Sequence, residues 1–553
     1  MKKIIITLVI SSLLTVVSHS IKAGSATWNL NPTSNDWNTA ANWTPATVPN
    51  GPSDTATFGL SNITGVGISA ATEVNTIAFG AGASPFTIGI NAPAVLTIDA
   101  GGVVNNSGVT QNFVVAAGSQ LIMQGSAGSA DQVTYEIKAA PDPSTIMGYM
   151  ALLSTNAGNA TYILDGGDAG GGLGAFVQFH EASTCDNCNF VVNGGTAPFA
   201  LAADLEFGGT DNFPSAGNGH YTINGGAAEG ARGGFGDVEF GTTLATSTFT
   251  VNGGLVGHAD PGALHLESST TADQATLIAF GTSGLAGGQI HFHHDSLGGT
   301  SRVEVHGSGI LDISDHDAPG VTIGSLTGDG LVSLSGNNLT VGAGGFDSQF
   351  DGTIHGASSS GGGSLTKVGS GTLLLTQSNT YFAGTQVKAG TLLVRNQTGS
   401  ATGSGPVQVL GGTLAGHGII AGTVTVGGSS QNAALSAGSS LKRPNTLMIR
   451  SLLTFNPGGS YRCGLISDSS IAAEVIAAGV TINGGALFSL FDAGTTALPA
   501  GTTFTVINNP SANPISGTFS NLPDGGTITS GANTFQANYE GGDGNDLTLT
   551  VVP

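Results

Sequence analysis

The chain has 553 residues but only 9% charged ones, 13 Lys and Arg against 35 Asp and Glu, whereas a soluble domain usually has about 25%. The formal net charge of −22 and the scattered Lys and Arg residues exclude a nucleic-acid partner. Apolar residues occur in short alternating runs, which excludes both a disordered chain and a helical membrane protein.

Residues 1–23 have the pattern of an export signal. Met1-Lys2-Lys3 is basic, and the apolar run from Ile4 to Val17 has signal-peptide length. No later segment has the run of apolar residues that a spanning helix requires. We therefore predict an exported protein, extracellular or associated with the cell surface, without a membrane span in the mature chain.

Residues 24–60 contain all three tryptophans, Trp28, Trp37 and Trp43. The end of a repetitive β structure needs an atypical cap over its core, and clustered tryptophans can supply one. The alternative is an exposed aromatic face on which a carbohydrate stacks. We favour an N-terminal cap over these residues.

Two series of short strands recur through the middle of the chain. The first ends in Asn/Asp-Gly-Gly at intervals of 28, 31 and 28 residues: Asp165, Asn193, Asn224 and Asn252. The second ends at an apolar residue: Phe179, Phe207, Phe240, Leu266 and Phe292. This period is about one coil of a parallel β-helix, in which each coil buries its apolar face against its neighbours. We predict an all-β parallel solenoid over residues 61–440.

The sequence "CDNC" places Cys185 and Cys188 in one of these coils. Three readings are open: a redox pair, half of a metal site, or a structural turn pair, as a disulfide or as two unreactive thiols. A redox pair needs a helix N-terminus to lower the thiol pKa, whereas the flanks here are β-like and rich in Gly. We favour the structural turn pair and expect a double serine variant to fold.

When the strands of the second series are aligned on their last apolar residues, their polar side chains fall into columns on the outer face of the solenoid. One column holds Gln178, Glu206, Glu239, His265 and His291, and the next holds His180, Glu267 and His293. Imidazoles and carboxylates on rungs about 4.8 Å apart are suitable ligands for a transition metal. The candidate ligands are His265, His291, His293, Glu239 and Glu267, although an ordinary polar ladder is the simpler interpretation.

From Gly328 to about Gly438 the repeat shortens, and one segment of about thirty residues, Ser364 to Val394, carries an ordered motif. The motif comprises Leu365, Lys367, Gly369, Gly371, Leu373, Leu375, Asn379, Tyr381, Gly384, Thr385, Gly390 and Thr391. It resembles the autotransporter-associated β-strand repeat of bacterial surface and secreted proteins. The resemblance implies a right-handed parallel β-helix in a secreted or surface-displayed passenger region.

Residues 441–553 lose the Gly-Gly repeat, and we predict a C-terminal β cap or small β domain there. The segment "GGDGNDLTL" is a single copy of a calcium-binding nonapeptide, so Asp543 and Asp546 are candidates for a calcium site, with a simple turn preferred.

The alternating ten-residue segments of a membrane β-barrel are not evident. Either a separate system exports the chain or the natural chain extends further.

These patterns favour an exported structural or adhesive protein that presents an extended surface and is not a catalyst. We assign no catalytic residue and no cofactor. The expected partners are a cell surface, extracellular matrix or glycan. The alternative function is a polysaccharide lyase or glycoside hydrolase on a β-helix scaffold, which would use carboxylates of the outward columns.

Overall fold

A computed structural model describes residues 24–209, 213–357, 361–428 and 432–553. The export signal predicted at residues 1–23 lies outside them. The described residues form short β-strands and two three-residue 3-10 turns, Ala40–Asn42 and Ser467–Ser469. Within these ranges no helix has the length and apolar character needed to cross a membrane.

Most of the strands stack in three long parallel ladders, each coil adding one strand to a ladder. The first sheet consists, in spatial order, of Trp43–Thr44, Ala26–Trp28, Gly51–Phe58, Thr72–Phe79, Val95–Asn105, Gln120–Gln124, Tyr149–Leu153, Phe176–His180, Asp204–Phe207, Phe235–Val238, Ala263–Leu266, Gln289–Phe292, Ile310–Asp312, Leu331–Ser335 and Thr353–Gly356. Every pair in it is parallel apart from the first, in which Trp28 lies opposite Trp43 in antiparallel register.

The second sheet runs along most of the molecule. It consists of Gly65–Ile68, Thr87–Ile90, Gln111–Val115, Val133–Ile137, Thr161–Leu164, Asn189–Val192, His220–Ile223, Thr248–Asn252, Thr276–Phe280, Arg302–His306, Ser325–Gly328, Ser348–Phe350, Thr372–Leu375, Thr391–Val394, Thr413–Gly416, Ala433–Ala437, Gly459–Ile466 and Leu487–Asp492, with Ile471–Ala472 folded back on Gly459–Ile466. The predicted all-β parallel solenoid is confirmed.

Two further sheets belong to the later coils. The third sheet consists of Gly320–Ile323, Asn338–Val341, Ser364–Lys367, Gly384–Val387, Val407–Val409, Val424–Val426, Leu453–Phe455 and Val480–Ile482. The fourth sheet consists of Ile419–Ile420, Thr446–Ile449, Glu474–Ala477, Thr503–Asn508, Asp546–Val552, Asn533–Gly541 and Thr527–Ser530. These sheets accompany the shorter repeat that the sequence shows after residue 328.

The core is built of side chains that repeat at the same position in successive coils. Alternation along each strand points one set of residues inward, as in Tyr162 and Leu164 of the strand Thr161–Leu164. Six aromatic rings of the second sheet form a column with neighbouring centroids 4.3–5.5 Å apart: Phe113, Tyr135, Tyr162, Phe190, Tyr221 and Phe249. Ring stacking at this spacing adds to the apolar burial.

The tryptophans close the N-terminal end of this core. Trp28, Trp37 and Trp43 are all buried and surround Phe58, with ring centroids 4.9–6.1 Å apart. Each indole N–H donates to a backbone carbonyl, on Ile63, Pro49 and Trp37 respectively. Their burial agrees with the predicted cap and excludes the alternative of a carbohydrate-stacking face, which needs exposed rings.

The register of the second strand series differs from the sequence alignment at one coil. Phe207 lies opposite Val238, whereas the alignment placed Phe240 there. Phe240 is exposed in the following turn with φ +29°. Gly236 takes the other inward position, and a Cβ there would lie only 2.8 Å from Ile223 Cδ1. Ile223 of the preceding strand and Leu264 of the next coil therefore fill the space that a large inward side chain would need, and the apolar pattern is displaced by two residues.

The parallel ladder also extends beyond residue 440, where the solenoid was predicted to end. Gly459–Ile466 pairs in parallel with Leu487–Asp492. Apart from the fold-back of Ile471–Ala472, antiparallel pairing lies nearer the C-terminus, where Asp546–Val552 pairs with Thr503–Asn508 and with Asn533–Gly541. The final strands thus cover the last coils with a differently paired edge, which suits the end of a solenoid.

One asparagine ties three consecutive short coils together. Asn379 is buried, its Oδ1 accepts from the Ile354 N–H at 2.7 Å, and its Nδ2 donates to the Ala401 carbonyl at 2.5 Å. Its own N–H donates to the Ser400 carbonyl. The asparagine of the repeat motif thus satisfies backbone groups on the coils before and after its own.

We expect Asn379→Ala to destabilise the protein by about 2–3 kcal/mol, because it leaves a buried N–H and a buried C=O without partners. Denaturant unfolding followed by circular dichroism measures this loss. Thr380→Ala changes the exposed next residue and is expected to cost less than about 0.5 kcal/mol. Equal effects of the two substitutions would contradict the bridging role.

Cys185 and Cys188 are both buried, and the structure joins them in a disulfide across a tight turn. Bridges between neighbouring coils pair Thr184 with Ser215 and Ser215 with Thr243. The cysteines therefore have the positions that Leu244 and Ser247 have two coils later, where the Ser247 hydroxyl donates to the Leu244 carbonyl at 2.6 Å. A coil of this type forms its turn with or without sulfur.

We expect the double variant Cys185→Ala, Cys188→Ser to fold, since the new serine hydroxyl can make the bond that Ser247 makes. The loss of so short a cross-link is expected to cost about 2 kcal/mol or less. Export yield and the circular dichroism spectrum measure the outcome. Failure to recover the variant in the folded state would show that the disulfide is required.

Candidate functional site

Two surface regions bring polar side chains together across several coils. We call the first the amide groove. Its ladder contains Asp165, Asn193 and Asn224, which directly follow strands of the second sheet, and Asn252, which ends the strand Thr248–Asn252. Asn224 Nδ2 donates to Asn193 Oδ1 at 3.0 Å, and Asn252 Nδ2 donates to Asn224 Oδ1 at 2.9 Å. These two hydrogen bonds have one direction, since Asn224 and Asn252 each donate to the coil before their own.

The glycines that follow these residues form the floor of the groove. Because successive backbones lie so close, a Cβ at Gly194 would be 2.4 Å from the Gly225 carbonyl oxygen, and one at Gly225 would be 2.2 Å from that of Gly253. The first glycine of each Asn/Asp-Gly-Gly motif is thus required by the close approach of the next coil. Because these residues are glycines, no side chain enters the floor, and the groove stays open.

The two ends of the amide groove differ chemically. At one end Lys138 Nζ lies 3.0 Å from Asp165 Oδ2 and also pairs with Glu136. At the other end the half-exposed Phe280 stacks against the His306 ring, with centroids 5.1 Å apart. The groove between them has a volume of about 1020 Å³, which is large enough for a ligand longer than one coil.

Each amide of the ladder retains binding capacity. A primary amide has two donor hydrogens and two acceptor lone pairs. Asn224 uses one hydrogen and one lone pair on its two neighbours, so one of each remains for a ligand. The sequence repeat contained these residues, but we used them only to measure its period, and the groove was missed. The signal in the sequence was that an Asn or Asp recurs at the same position of successive repeats.

The second region, the histidine–carboxylate patch, lies on the outer face of the first sheet. Strand pairing places Gln178, Glu206, Asp237, His265, His291 and Asp312 in one column. The sequence alignment had placed Glu239 in this column, which was wrong by the same two-residue displacement that moved Phe240. The Glu239 N–H instead bonds to the Phe207 carbonyl, and that of Glu267 to Val238, so both belong to the adjoining column with His293.

Hydrogen bonds run along the patch from coil to coil. Tyr149 Oη donates to Gln178 Oε1 at 3.0 Å, and Gln178 Nε2 donates to Glu206 Oε1 at 2.6 Å. Further along, Nδ1 of His265 and Nε2 of His293 are 3.1 Å apart. The solenoid therefore brings these candidate residues into direct contact.

Burial among like charges changes proton affinity in the patch. Desolvation raises the pKa of Asp204 to about 7 and that of Asp237 to about 8, and neighbouring carboxylates, among them Glu206 and Glu239, add to both. Desolvation lowers the pKa of His265 to about 3, with further contributions from the other imidazoles. Carboxyl groups that stay protonated near neutral pH can donate protons or hydrogen bonds.

The metal-ligand candidates predicted from the sequence do not all lie in one place. Ligand atoms of His265, Glu267 and His293 all lie within 4.8 Å of one another. His291 Nε2 instead contacts Gln289 Oε1 at 3.1 Å. Asp546, far away in the last strand, accepts from the Asn509 N–H at 2.8 Å, and Asp543 lies exposed in the preceding turn.

Comparison with known proteins supports the repeat motif. The family model for the passenger-associated transport repeat matches residues 365–394. No curated protein matches the chain. Among solved structures, the crystal structure of the Haemophilus influenzae Hap adhesin matches at 11% identity and a TM-score of 0.27. That match covers 90% of this chain and 59% of the other, so this chain spans about three fifths of the adhesin's length.

The repeat match and the fold agree. Residues 365–394 form strands of the second and third sheets, such as Thr372–Leu375 and Gly384–Val387, in the part of the solenoid with short coils. At its TM-score the structural match has no bearing on function. The chain is a β-solenoid protein that carries a passenger-associated transport repeat at residues 365–394.

Proposed function

We propose that the chain is an exported, surface-associated adhesive protein that binds uncharged glycans in the amide groove. The observation that carries this proposal is the amide ladder, in which three successive coils present the same primary amide, on Asn193, Asn224 and Asn252. A linear glycan presents hydroxyl groups at regular intervals and could bond to successive coils.

The electrostatics of the chain favour an uncharged ligand. A formal net charge of −22 creates a field that repels polyanions. The cation that lines the groove, Lys138, already pairs with Asp165 and Glu136. Neutral hydroxyls need no counter-charge, and Phe280 at the far end offers an apolar ring against which a sugar face can pack.

The test is binding of the purified chain to immobilised neutral and acidic glycans and to whole cells. We expect neutral glycans to bind and Asn224→Ala to weaken that binding about tenfold or more. Asn218→Ala is the matched control, because Asn218 is exposed on another corner of the same coil. Retained affinity in Asn224→Ala, or a preference for acidic glycans, would refute the groove as the binding site.

A second candidate function is glycan cleavage at the histidine–carboxylate patch. In its favour, Asp237 is partly buried in its column beside Glu239 and Asp204, and this environment raises its pKa to about 8, which suits a general acid at neutral pH. Incubation with the same glycans would then release products, and Asp237→Asn or Glu239→Gln would abolish the release. Binding without product release supports the adhesive function.

A further inference from the structure

His265 and His293 form an imidazole pair that bridges strands Ala263–Leu266 and Gln289–Phe292. These strands are adjacent and in parallel register, so the backbone holds the two rings one rung apart. His293 follows its strand directly, and its N–H donates to the Leu266 carbonyl at 2.9 Å. The ring nitrogens that face each other are 3.1 Å apart.

This separation is close to what a shared metal ion requires. Two nitrogens bound at about 2.0–2.1 Å in a tetrahedral site lie about 3.3 Å from each other. The observed 3.1 Å contact therefore needs only a small side-chain rotation to accept an ion in place of the bridging hydrogen. The centroids of the two rings are 4.9 Å apart, so neither ring blocks the other.

Glu267 supplies a third ligand from the same surface. It lies two residues beyond His265 and points outward with it, and a carboxylate oxygen is within 4.8 Å of one ring nitrogen of each histidine. All three side chains are partly buried, which limits their motion and leaves one side open to water. His294 Nε2, 3.9 Å from Glu267 Oε2, is placed to orient the carboxylate from outside.

We propose that His265, Glu267 and His293 bind a divalent transition metal ion of the zinc type, with water as the remaining ligand. Two imidazoles and one carboxylate are a ligand set that Zn²⁺ favours. The ion would join two coils of the first sheet, on a different surface from the amide groove. This site is independent of the proposed glycan binding.

The test is titration of the purified, EDTA-treated chain with Zn²⁺ and, separately, with Co²⁺. We expect one Zn²⁺ to bind per chain, and Co²⁺ to give the intense visible absorption of a four-coordinate site. His293→Ala is expected to weaken Zn²⁺ binding about tenfold or more and to remove the visible band. Glu267→Gln keeps the shape of the side chain and is expected to weaken binding in the same direction, should His293→Ala fail to fold.

His355→Ala is the matched control. His355 points outward from Thr353–Gly356, a strand of the same sheet, and its Nε2 contacts Thr353 Oγ1 at 3.1 Å. Its replacement is expected to leave the affinity for Zn²⁺ and the Co²⁺ spectrum unchanged. The proposal is overturned if the wild-type chain binds no Zn²⁺ at about 100 µM, a concentration that would saturate a site with a Kd of about 1 µM. It is equally overturned if all three variants bind alike.

Discussion

Replacing Gly225 with alanine is expected to destabilise the solenoid by about 3 kcal/mol or more, the upper range for overpacking. The added Cβ would lie 2.2 Å from the Gly253 carbonyl oxygen and 2.5 Å from its carbon. Both are backbone atoms, so relief requires the next coil to move away from its neighbour. The measurements are the midpoint of denaturant unfolding and the yield of folded, exported protein.

Gly257→Ala serves as the control for this substitution. Gly257 lies in the corner loop of the next coil, and a Cβ there meets no atom within 4 Å. The change is expected to alter the free energy of unfolding by less than about 0.5 kcal/mol. If Gly225→Ala is as harmless as Gly257→Ala, the coils are not packed as closely as the structure shows.

Asp204→Asn is expected to stabilise the protein at pH 8 by up to about 4 kcal/mol and to have little effect at pH 4. Burial, with Glu206 and Glu239 nearby, raises the pKa of Asp204 to about 7 in the folded chain, against about 3.9 when unfolded. The folded state therefore holds this proton more tightly. The stability that the protonated Asp204 carboxyl contributes to the folded state is complete below about pH 4 and is lost as the pH rises towards 7.

Asparagine keeps the shape of the side chain without the charge, so the variant should lack this part of the pH dependence. Unfolding midpoints of the wild type and the variant, compared from pH 4 to pH 8, provide the measurement. Asp273→Asn makes the same chemical change on an exposed turn and should leave the pH profile as it is. A variant whose stability follows the wild-type curve at every pH would contradict a raised pKa.

The fold was predictable where each coil repeats the same chemistry at the same phase. In the first series, Leu164 lies opposite Val192 and Ile223 opposite Val251, as the Asn/Asp-Gly-Gly spacing predicted. The second series failed at Phe240, because Gly236 replaces an apolar residue on the inward face. An alternating pattern of residues fits a strand equally well after a displacement of two residues. The sequence alone could therefore not choose between the two registers.

The candidate sites were predictable only in part for a related reason. The sequence identified the imidazoles and carboxylates that stack on the first sheet, because their columns follow from the strands. It could not show that His265 faces His293 while His291 turns to Gln289, since rotamers depend on neighbours in three dimensions. The recurring Asn residues were a signal for the amide ladder, but the shape of the amide groove comes from the corner backbone, which a side-chain pattern does not describe.

The dependence of each coil on only its two neighbours has a consequence for the ancestry of the chain. Gly194 and Gly225 meet the next backbone in the same way, so a duplicated coil inserted between them would find the same surface on both sides. Length can therefore change by gene duplication in whole units without a new core or new caps. Selection could adjust the length of such a solenoid independently of the side chains that any one coil presents.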